Sequence, residues 1–365
     1  MRIGFDIGPI STARSGVGNY CLHLLRELLQ MDGLDLSGFA ASVRQLDLAA
    51  LGRPLPHRHL PIPTRLMYKV WSVFGAPKVD SLLGGVDIYH ATNYFLPPVK
   101  RAKRVLTIHD IAFKKHPELC SPKIVGPFSE GVAGFARAAD AVIADSESTR
   151  RDIIEMLGVR ENRVHTVHLA VEDGLAPMPR EEARKIAGRK NPYLLFVSTI
   201  EPRKNVQGII KAFERIQDDF PHDLMLAGAR GWMPESFWRE LSGHSARILT
   251  PGFVAQRDMR AVFSAADAFV FPSYYEGFGL PVLEAMACGC PVITANNSSL
   301  PEVAGDAAEY CDANDIDSIA NAMRRVLSDS ALRESMSQRG LAQAAKFSWK
   351  KTAEQTAAVY RSVRA

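Results

Sequence analysis

The sequence is poor in the features that mark secreted, membrane-spanning and nucleic-acid-binding proteins. Its five cysteines are odd in number and scattered, and Cys288-Gly289-Cys290 is too tight for the two-residue spacer of most metal and redox sites. No run approaches the roughly 20 apolar residues of a membrane span. The net charge is only +4, with no concentrated basic stripe. These absences predict free buried thiols, a reducing compartment and no nucleic-acid partner.

The amino terminus also lacks the apolar core of a signal peptide, because it reaches polar residues within its first six positions. A cytoplasmic location is therefore expected, with contact to the inner face of a membrane at most. The 365 residues, 47% of them hydrophobic, are long for one core and suit two ordinary globular domains.

Short apolar runs alternate with amphipathic stretches, which is typical of parallel sheets flanked by helices. Strands are predicted at 2–7, 86–90, 104–108, 141–144, 163–168, 193–198, 223–227, 247–250, 268–272 and 291–294. They divide into two sheets of about five strands each. The polar stretch 176–190 is predicted as a linker with a short helix, and a surface loop is its alternative. Domains are expected at 1–175 and 191–346, followed by a terminal helix at 347–365.

One strand end in the second half carries two adjacent cations. Arg203 and Lys204 follow the strand that ends near Ser198, and Asn205 is the predicted N-cap of the next helix. Ligands of doubly wound sheets bind beyond the carboxyl ends of the strands, and a helix start favours an anion. A diphosphate site is therefore predicted here, and a solvated basic pair is the alternative.

A second strand end offers two carboxylates. Gly277 and Gly279 allow the backbone to approach a ligand. Pro281 suits the first helical position, which would put Glu284 in the first helical turn. Glu276 lies in the loop before that helix. Carboxylates accept hydrogen bonds from vicinal hydroxyls, so a sugar and a ribose are the predicted ligands. One glutamate paired with the helix dipole and one ordinary loop glutamate remain the alternative.

Other candidate positions are weaker. The glycine turn before Phe253 and Val254 offers backbone groups to a nucleobase, although an ordinary turn explains it equally. Gly16 and Gly18 precede a helical stretch, but the third glycine of a dinucleotide fingerprint is missing and a simple turn is the alternative.

A histidine ends a buried strand in the first half. His109 follows the run 105–108, where sites form, although a structural histidine is also common there. Asp110 is expected to cap this loop or orient His109. Asn93 and Tyr94 follow another strand and are acceptor candidates, with plain packing as the alternative.

Together these residues resemble a known family. Glu276, seven intervening residues and Glu284 resemble the signature of retaining glycosyltransferases of family 4. Similar motifs of that family stand at 201–205, 298–303 and 347–349. The resemblance covers essentially the whole chain. It implies an α/β GT-B fold, with two facing Rossmann-like domains, an interdomain cleft and a C-terminal helix crossing back to the N-terminal domain.

The resemblance also implies roles for the site residues. Arg203 and Lys204 bind the donor diphosphate, Glu276 and Glu284 hold sugar and ribose hydroxyls, and His109 lies beside the transferred sugar. The expected catalytic residues are His109, Glu276, Lys204 and Arg203. The expected donor-binding residues are Gly16, Gly18, Ser198, Thr199, Arg203, Lys204, Phe253, Val254, Glu276, Gly277, Phe278, Gly279, Leu280 and Glu284, and the acceptor candidates are Asn93, Tyr94 and Asp110.

One departure concerns Thr199, which stands where many members carry an arginine, so Arg203 is expected to supply that charge. No Asp-x-Asp motif stands in a suitable loop, and no metal or other cofactor is expected. No convincing nucleophile is found either, so a same-face displacement that retains the anomeric configuration is expected. Fixed donors around the leaving diphosphate then supply most of the barrier reduction.

The Thr199 and 201–205 sequences resemble bacterial polysaccharide or O-antigen mannosyltransferases, which favours GDP-mannose as donor and a saccharide or lipid-linked acceptor. A UDP-sugar donor is the alternative. The two glutamates disfavour a sugar-nucleotide epimerase, and the missing signal peptide disfavours a periplasmic binding module. The incomplete glycine fingerprint disfavours a nicotinamide dehydrogenase.

The segment 65–75 is a candidate for peripheral membrane contact. Leu66, Val70 and Phe74 share one helical stripe, and Met67 and Trp71 lie beside it. An amphipathic helix packed on its own domain is the alternative.

Overall fold

The computed structural model describes residues 1–364 apart from 13–14, 123–124, 126–128, 130 and 245. The described chain divides into two units. Unit 1 takes in the described residues of 1–111, 123–169 and 348–365, and unit 2 takes in those of 112–122 and 170–347. The stretch 176–190, predicted as a linker with a short helix, lies in unit 2.

Unit 1 is built on a parallel sheet that has seven strands among the described residues. They are β1 (Arg2–Asp6), β2 (Asp35–Ala41), β3 (His57–Leu60), β4 (Ile88–Ala91), β5 (Lys103–Ile108), β6 (Ala141–Ala144) and β7 (Val164–Thr166), in the order β3-β2-β1-β4-β5-β6-β7. Strands β4 and β6 are buried at every residue, as parallel sheets covered on both faces require. The sequence did not predict β2 and β3.

Unit 2 contains a second parallel sheet, with six strands in the described part of the chain. They are β8 (Tyr193–Val197), β9 (Asp223–Ala227), β10 (Ile248–Gly252), β11 (Ala268–Phe271), β12 (Val292–Ala295) and β13 (Ala308–Cys311), in the order β10-β9-β8-β11-β12-β13. The prediction of two parallel sheets is confirmed. The prediction of about five strands in each was too low, since β13 was missed as well.

Helices separate most of the strands. They are α1 (Gly16–Leu28), α2 (Thr64–Phe74), α3 (Val79–Leu82), α4 (Ala112–Lys115), α5 (Val132–Ala138), α6 (Glu147–Leu157), α7 (Arg180–Ala187), α8 (Val206–Glu214), α9 (Glu235–Gly243), α10 (Gln256–Ala265), α11 (Leu280–Ala287), α12 (Leu300–Ala304), α13 (Ile316–Ser328), α14 (Ser330–Ala344) and α15 (Trp349–Arg364). Within the described residues, none of these helices has the length and apolar character needed to cross a bilayer.

In each sheet the strand order reverses beside the strand that comes first along the chain. The reversal lies between β1 and β4 in unit 1 and between β8 and β11 in unit 2. Ligands of doubly wound sheets bind at such switch points, beyond the carboxyl ends of the strands. The loops that follow these four strands are therefore the places where functional side chains are expected to meet.

The terminal helix α15 belongs to unit 1, as the GT-B resemblance implied. Its Trp349 ring stacks on His23 of α1, with centroids 5.1 Å apart. Tyr360 places its hydroxyl 2.7 Å from His90 Nδ1 inside the unit. Aromatic burial and this hydrogen bond fix the helix on the sheet, and Tyr360 is fully buried.

Candidate active site

The two loops at the switch point of unit 2 form an ionic cluster. Lys204 Nζ donates to Glu276 Oε1 at 2.6 Å, and Arg203 donates to Glu276 Oε2 at 3.0 Å. A further ion pair of 2.8 Å joins Arg203 to Glu201. Sequence reasoning assigned the cations and Glu276 to different parts of a ligand, whereas the structure shows them bound to one another.

Burial sets the electrostatics of this ionic cluster. Lys204 and Glu276 are each only 6% exposed. Burial alone would raise the pKa of Glu276, but the charges of Arg203 and Lys204 outweigh it and hold the pKa below its usual range. Burial, with the nearby charge of Arg203, lowers the pKa of Lys204. A ligand anion that reached these cations would compete directly with Glu276.

The helix that follows the cations begins as predicted. Asn205 is the N-cap of α8, and its side-chain oxygen accepts from Gly208 N at 3.2 Å. Its amide nitrogen donates to the carbonyls of Pro272 and Ala313, at 3.2 and 2.7 Å. One side chain therefore ties the loops after β8, β11 and β13 together and holds Lys204 in register with Glu276.

The loop that carries Glu276 is fixed by two serines. Ser298 Oγ accepts from the backbone amide of Glu276 at 3.0 Å. Ser299 Oγ contacts the carbonyls of Glu276 and Phe278 at 3.0 and 2.7 Å. Gly279 then takes φ of +104°, a conformation that favours glycine, and starts α11 at Leu280. The family motif at 298–303 thus acts here as a support for the glycine loop.

Glu284 lies one position later in α11 than predicted. Because the helix begins at Leu280, Glu284 is its fifth residue, beyond the first turn where it was expected. Its carboxylate makes no hydrogen bond within the described residues. Burial, helped by the charge of Glu172, raises its pKa to about 7. Such a carboxylate can accept ligand hydroxyls without first giving up a protein partner.

Three further predicted donor residues follow strands of the same sheet: Ser198 and Thr199 after β8, and Phe253 after β10. Ser198 N donates to Ala227 O at 3.1 Å, so it extends the β8–β9 pairing. The Thr199 side chain is exposed, and so is Phe253, whose exposed fraction is 80%. Arg203 and Lys204 are the cations of the ionic cluster, and the replacement of an arginine at 199 by Arg203 stays a prediction.

His109 in unit 1 is held by two acceptors. Its Nδ1 donates to Asp145 Oδ2 at 2.7 Å and its Nε2 donates to Thr92 O at 3.1 Å. When Asp145 is ionised both partners are acceptors, which favours a doubly protonated, positively charged ring. Burial opposes this charge, but Asp145 outweighs it and raises the pKa of His109. The orienting carboxylate is therefore Asp145 rather than Asp110, which instead accepts from Tyr94 at 3.4 Å.

A buried hydrogen-bond chain supports the other side of His109. The Tyr20 ring meets His109 edge to face, with centroids 4.8 Å apart. The Tyr20 hydroxyl lies 2.9 Å from Thr107 Oγ, which is 2.7 Å from His90 Nε2. His90 bonds in turn to Tyr360. The terminal helix α15 thus helps to hold the Tyr20 ring beside His109.

Sequence reasoning missed Asp145 and Tyr20. Asp145 directly follows β6, the neighbour of β5 in the sheet, so the strand-end argument used for His109 applies to it equally. The contact of Tyr20 depends on how α1 packs, and no sequence pattern indicates it.

The glycines at the start of α1 need a correction. Gly16 and Gly18 were expected to precede the helix, but α1 begins at Gly16 itself. The reason is that Ser15 is the N-cap, and its hydroxyl accepts from Gly18 N at 3.5 Å. Both glycines therefore belong to the first helical turn.

Asn93 follows β4 at the switch point of the same unit.

The Asp145→Asn variant is expected to lower the pKa of His109, because the charge that opposes burial is lost. The imidazole then becomes neutral at a lower pH than in the wild type. Turnover that depends on the imidazolium should likewise fall at a lower pH. Titration of the imidazole resonances by NMR measures the shift, and an unchanged His109 midpoint would contradict the pairing.

Two family models match the chain. The model described as "Glycosyltransferase Family 4" matches residues 14–174, and the model described as "Glycosyl transferases group 1" matches residues 179–343. No cluster of three or more His, Cys, Asp or Glu side chains suited to a metal ion occurs in the described part of the chain.

Named proteins resemble the chain over nearly its full length. O-antigen chain mannosyltransferase B of Escherichia coli is 31% identical, over 99% of this chain and 100% of that protein. The MMP alpha-(1->4)-mannosyltransferase of Mycolicibacterium hassiacum is 29% identical, over 99% and 98%. Among solved structures, Anabaena HepE in complex with UDP-glucose has a TM-score of 0.78 at 18% identity, covering 99% of this chain and all of that one.

Proposed function

The chain belongs to the family 4 glycosyltransferases and has their GT-B fold, and on this premise we propose that it transfers mannose from GDP-mannose with retention of configuration. The proposed acceptor is a saccharide or lipid-linked saccharide in polysaccharide or lipopolysaccharide biosynthesis. Family membership already makes the chain a hexosyltransferase and decides against an epimerase, a dehydrogenase or a binding module. The mannosyl group is supported by the names of the two relatives, both of which are mannosyltransferases.

The observation that carries the proposal is the ionic cluster at the switch point of unit 2. An arriving diphosphate would take over the bonds that Arg203 and Lys204 make with Glu276. Glu276 would then be free to bind hydroxyls of the transferred sugar. Glu284, whose carboxylate lacks a partner among the described residues, would bind the ribose. The starts of α8 and α11 add partial positive charge for the same diphosphate.

The proposed reaction breaks the bond between the anomeric carbon and the diphosphate oxygen. The bonding electron pair leaves with GDP, and the acceptor oxygen attacks the same face of an oxocarbenium-like sugar. The acceptor proton passes to the departing phosphate oxygen. Arg203 and Lys204 stabilise the charge that develops on the diphosphate, and we propose that His109 positions and polarises the transferred sugar. No metal or other cofactor is part of this proposal.

A thermal-shift panel of GDP, UDP, ADP and their sugar conjugates tests the donor. A ligand that binds only the folded state raises the unfolding midpoint, and at a hundred times its Kd it contributes about 2.7 kcal/mol. We expect the largest rise with GDP and GDP-mannose. A larger rise with UDP would replace GDP-mannose by the UDP-sugar alternative. The coupling constant of the anomeric carbon in the product tests retention.

We also propose that α2 contacts a membrane surface near the acceptor. Leu66, Val73 and Phe74 are 51%, 73% and 73% exposed. By contrast, Met67 and Trp71 are buried in unit 1, so the packed-helix alternative holds for that face of α2. Arg65 and Lys69 on the same helix suit anionic lipid headgroups.

Replacing both Val73 and Phe74 by serine is expected to reduce binding to vesicles of phosphatidylethanolamine and phosphatidylglycerol several-fold, because apolar area is lost from the contact. Co-sedimentation measures the bound fraction. Val43→Ser is the matched control, since Val43 is 67% exposed and lies outside α2. Equal binding of all three proteins would contradict the contact.

A further inference from the structure

Glu201 is a buried carboxylate of the ionic cluster that the proposed reaction does not use. It is 4% exposed, and it forms an ion pair of 2.8 Å with Arg203, whose side chain is 15% exposed. Burial of a carboxylate is costly unless the charge is paired, so this ion pair holds Glu201 in the site. The question is what Glu201 does for the cation in return.

The backbone on both sides of Glu201 is held by hydrogen bonds. Ile200 N donates to Ala229 O at 2.9 Å, and Gly231 N donates to Ile200 O at 3.0 Å, so the loop after β8 is bound to the loop after β9. On the other side, Lys204 N donates to Glu201 O at 3.1 Å. The carboxylate therefore extends from fixed backbone and can anchor a neighbouring cation.

The guanidinium of Arg203 has acceptors on both of its terminal nitrogens. Nη2 pairs with Glu201, and Nη1 donates to Tyr275 O at 2.8 Å and to Glu276 Oε2 at 3.0 Å. In the proposed function the diphosphate displaces Glu276 from this arrangement. Glu201 and the Tyr275 carbonyl then stay in place, one on each nitrogen. Because the donors of a guanidinium form a rigid fork, these two acceptors fix its plane.

The charge of Glu201 acts against binding of the donor. The ion pairs join the cations Arg203 and Lys204 to the carboxylates of Glu201 and Glu276, so these four charges balance before a ligand arrives. A diphosphate would therefore meet the negative charge of Glu201 beside the cation that binds it. Glu201 can help the reaction through the geometry of Arg203, but not by attracting the donor.

We propose that Glu201 is a positioning residue, which holds the Arg203 guanidinium in the orientation that stabilises the leaving diphosphate, while its charge weakens ground-state binding of the donor. Interactions that are stronger in the transition state than in the ground state raise turnover. Charge on the diphosphate grows as its bond to the sugar breaks, and a fixed donor stabilises that charge without reorganisation. The inference rests on the proposed function and adds a residue that favours turnover over affinity.

Two variants of Glu201 separate its charge from its geometry. Glu201→Gln removes the charge and is expected to lower the Kd of GDP about threefold to tenfold and kcat about tenfold. Glu201→Asp keeps the charge on a shorter side chain, so kcat should fall about tenfold without a lower Kd. Glu240→Gln, at an exposed position of the same unit, is the control and should match the wild type in both quantities.

The measurements are made at pH 8, because burial raises the pKa of Glu201 and the carboxylate must be ionised. Titration calorimetry gives the Kd of GDP. The release of GDP from GDP-mannose gives kcat and needs no identified acceptor, since water can take the sugar. Thermal unfolding shows which variants fold, and Glu201→Asp alone tests the geometry if Glu201→Gln does not fold.

The outcomes separate this inference from the proposed function. A residue with a merely structural role would raise the Kd of GDP and lower kcat together in Glu201→Gln. That result, or wild-type kcat in the folded variants, would overturn the inference alone if GDP still raises the unfolding midpoint of the wild type. Loss of the GDP effect in the wild type would overturn the proposed function instead.

Discussion

The Lys204→Met variant is expected to lose about 10²–10³-fold in turnover, which corresponds to about 2.7–4 kcal/mol of transition-state stabilisation. Methionine keeps the length and apolar stem of the side chain but removes the charge proposed to stabilise the leaving diphosphate. Glu276 retains its 3.0 Å bond to Arg203, so its carboxylate is not left without a partner. Steady-state rates of sugar transfer measure the loss.

The control for this variant is Lys211→Met, because Lys211 is an exposed lysine of α8, the helix that follows Lys204. It should keep wild-type turnover. Thermal unfolding of both variants separates a lost charge from a lost fold, because breaking a buried ion pair also lowers stability. If folded Lys204→Met turns over at the wild-type rate, the proposed stabilisation of the diphosphate is wrong.

The His109→Ala variant is expected to reduce turnover by about 10²–10⁴-fold, the range typical of a positioned group that acts on the reacting centre. The substitution removes the imidazole ring and leaves Asp145 buried without its 2.7 Å partner. Some loss of stability is therefore expected together with the loss of activity. GDP should still raise the unfolding midpoint, because the side chains proposed to hold its diphosphate and ribose, Arg203, Lys204 and Glu284, lie in unit 2.

His57→Ala is the matched control, since His57 is an exposed histidine of the same unit. It should retain both activity and stability. Near-normal turnover in folded His109→Ala would remove His109 from the reaction. Near-normal turnover in both His109→Ala and Lys204→Met would refute the whole site assignment.

The strands that sequence analysis predicted most accurately are continuously buried. Strands β8 and β9 are buried at every residue and were predicted to within one residue. Two of the missed strands, β3 and β13, lack that pattern. β3 reads His-Arg-His-Leu with no buried residue, and three of the four residues of β13 are only half-buried. Both lie at the edge of their sheet, where one side of the strand is unpaired and polar residues are tolerated.

The candidate site was predictable where it depends on strand ends. The positions of Arg203, Lys204 and His109 follow from a buried strand and the loop after it. The bond between Lys204 and Glu276 was not predictable, because it joins residues 72 positions apart through two strands that are neighbours only in the folded sheet.

The most direct test of the central claim is a crystal structure of the full chain with GDP. We expect the diphosphate against Arg203 and Lys204 in unit 2, the ribose hydroxyls on Glu284, and a Glu276 carboxylate released from Lys204. A nucleotide bound in unit 1, or a diphosphate remote from an intact Lys204–Glu276 ion pair, would contradict it.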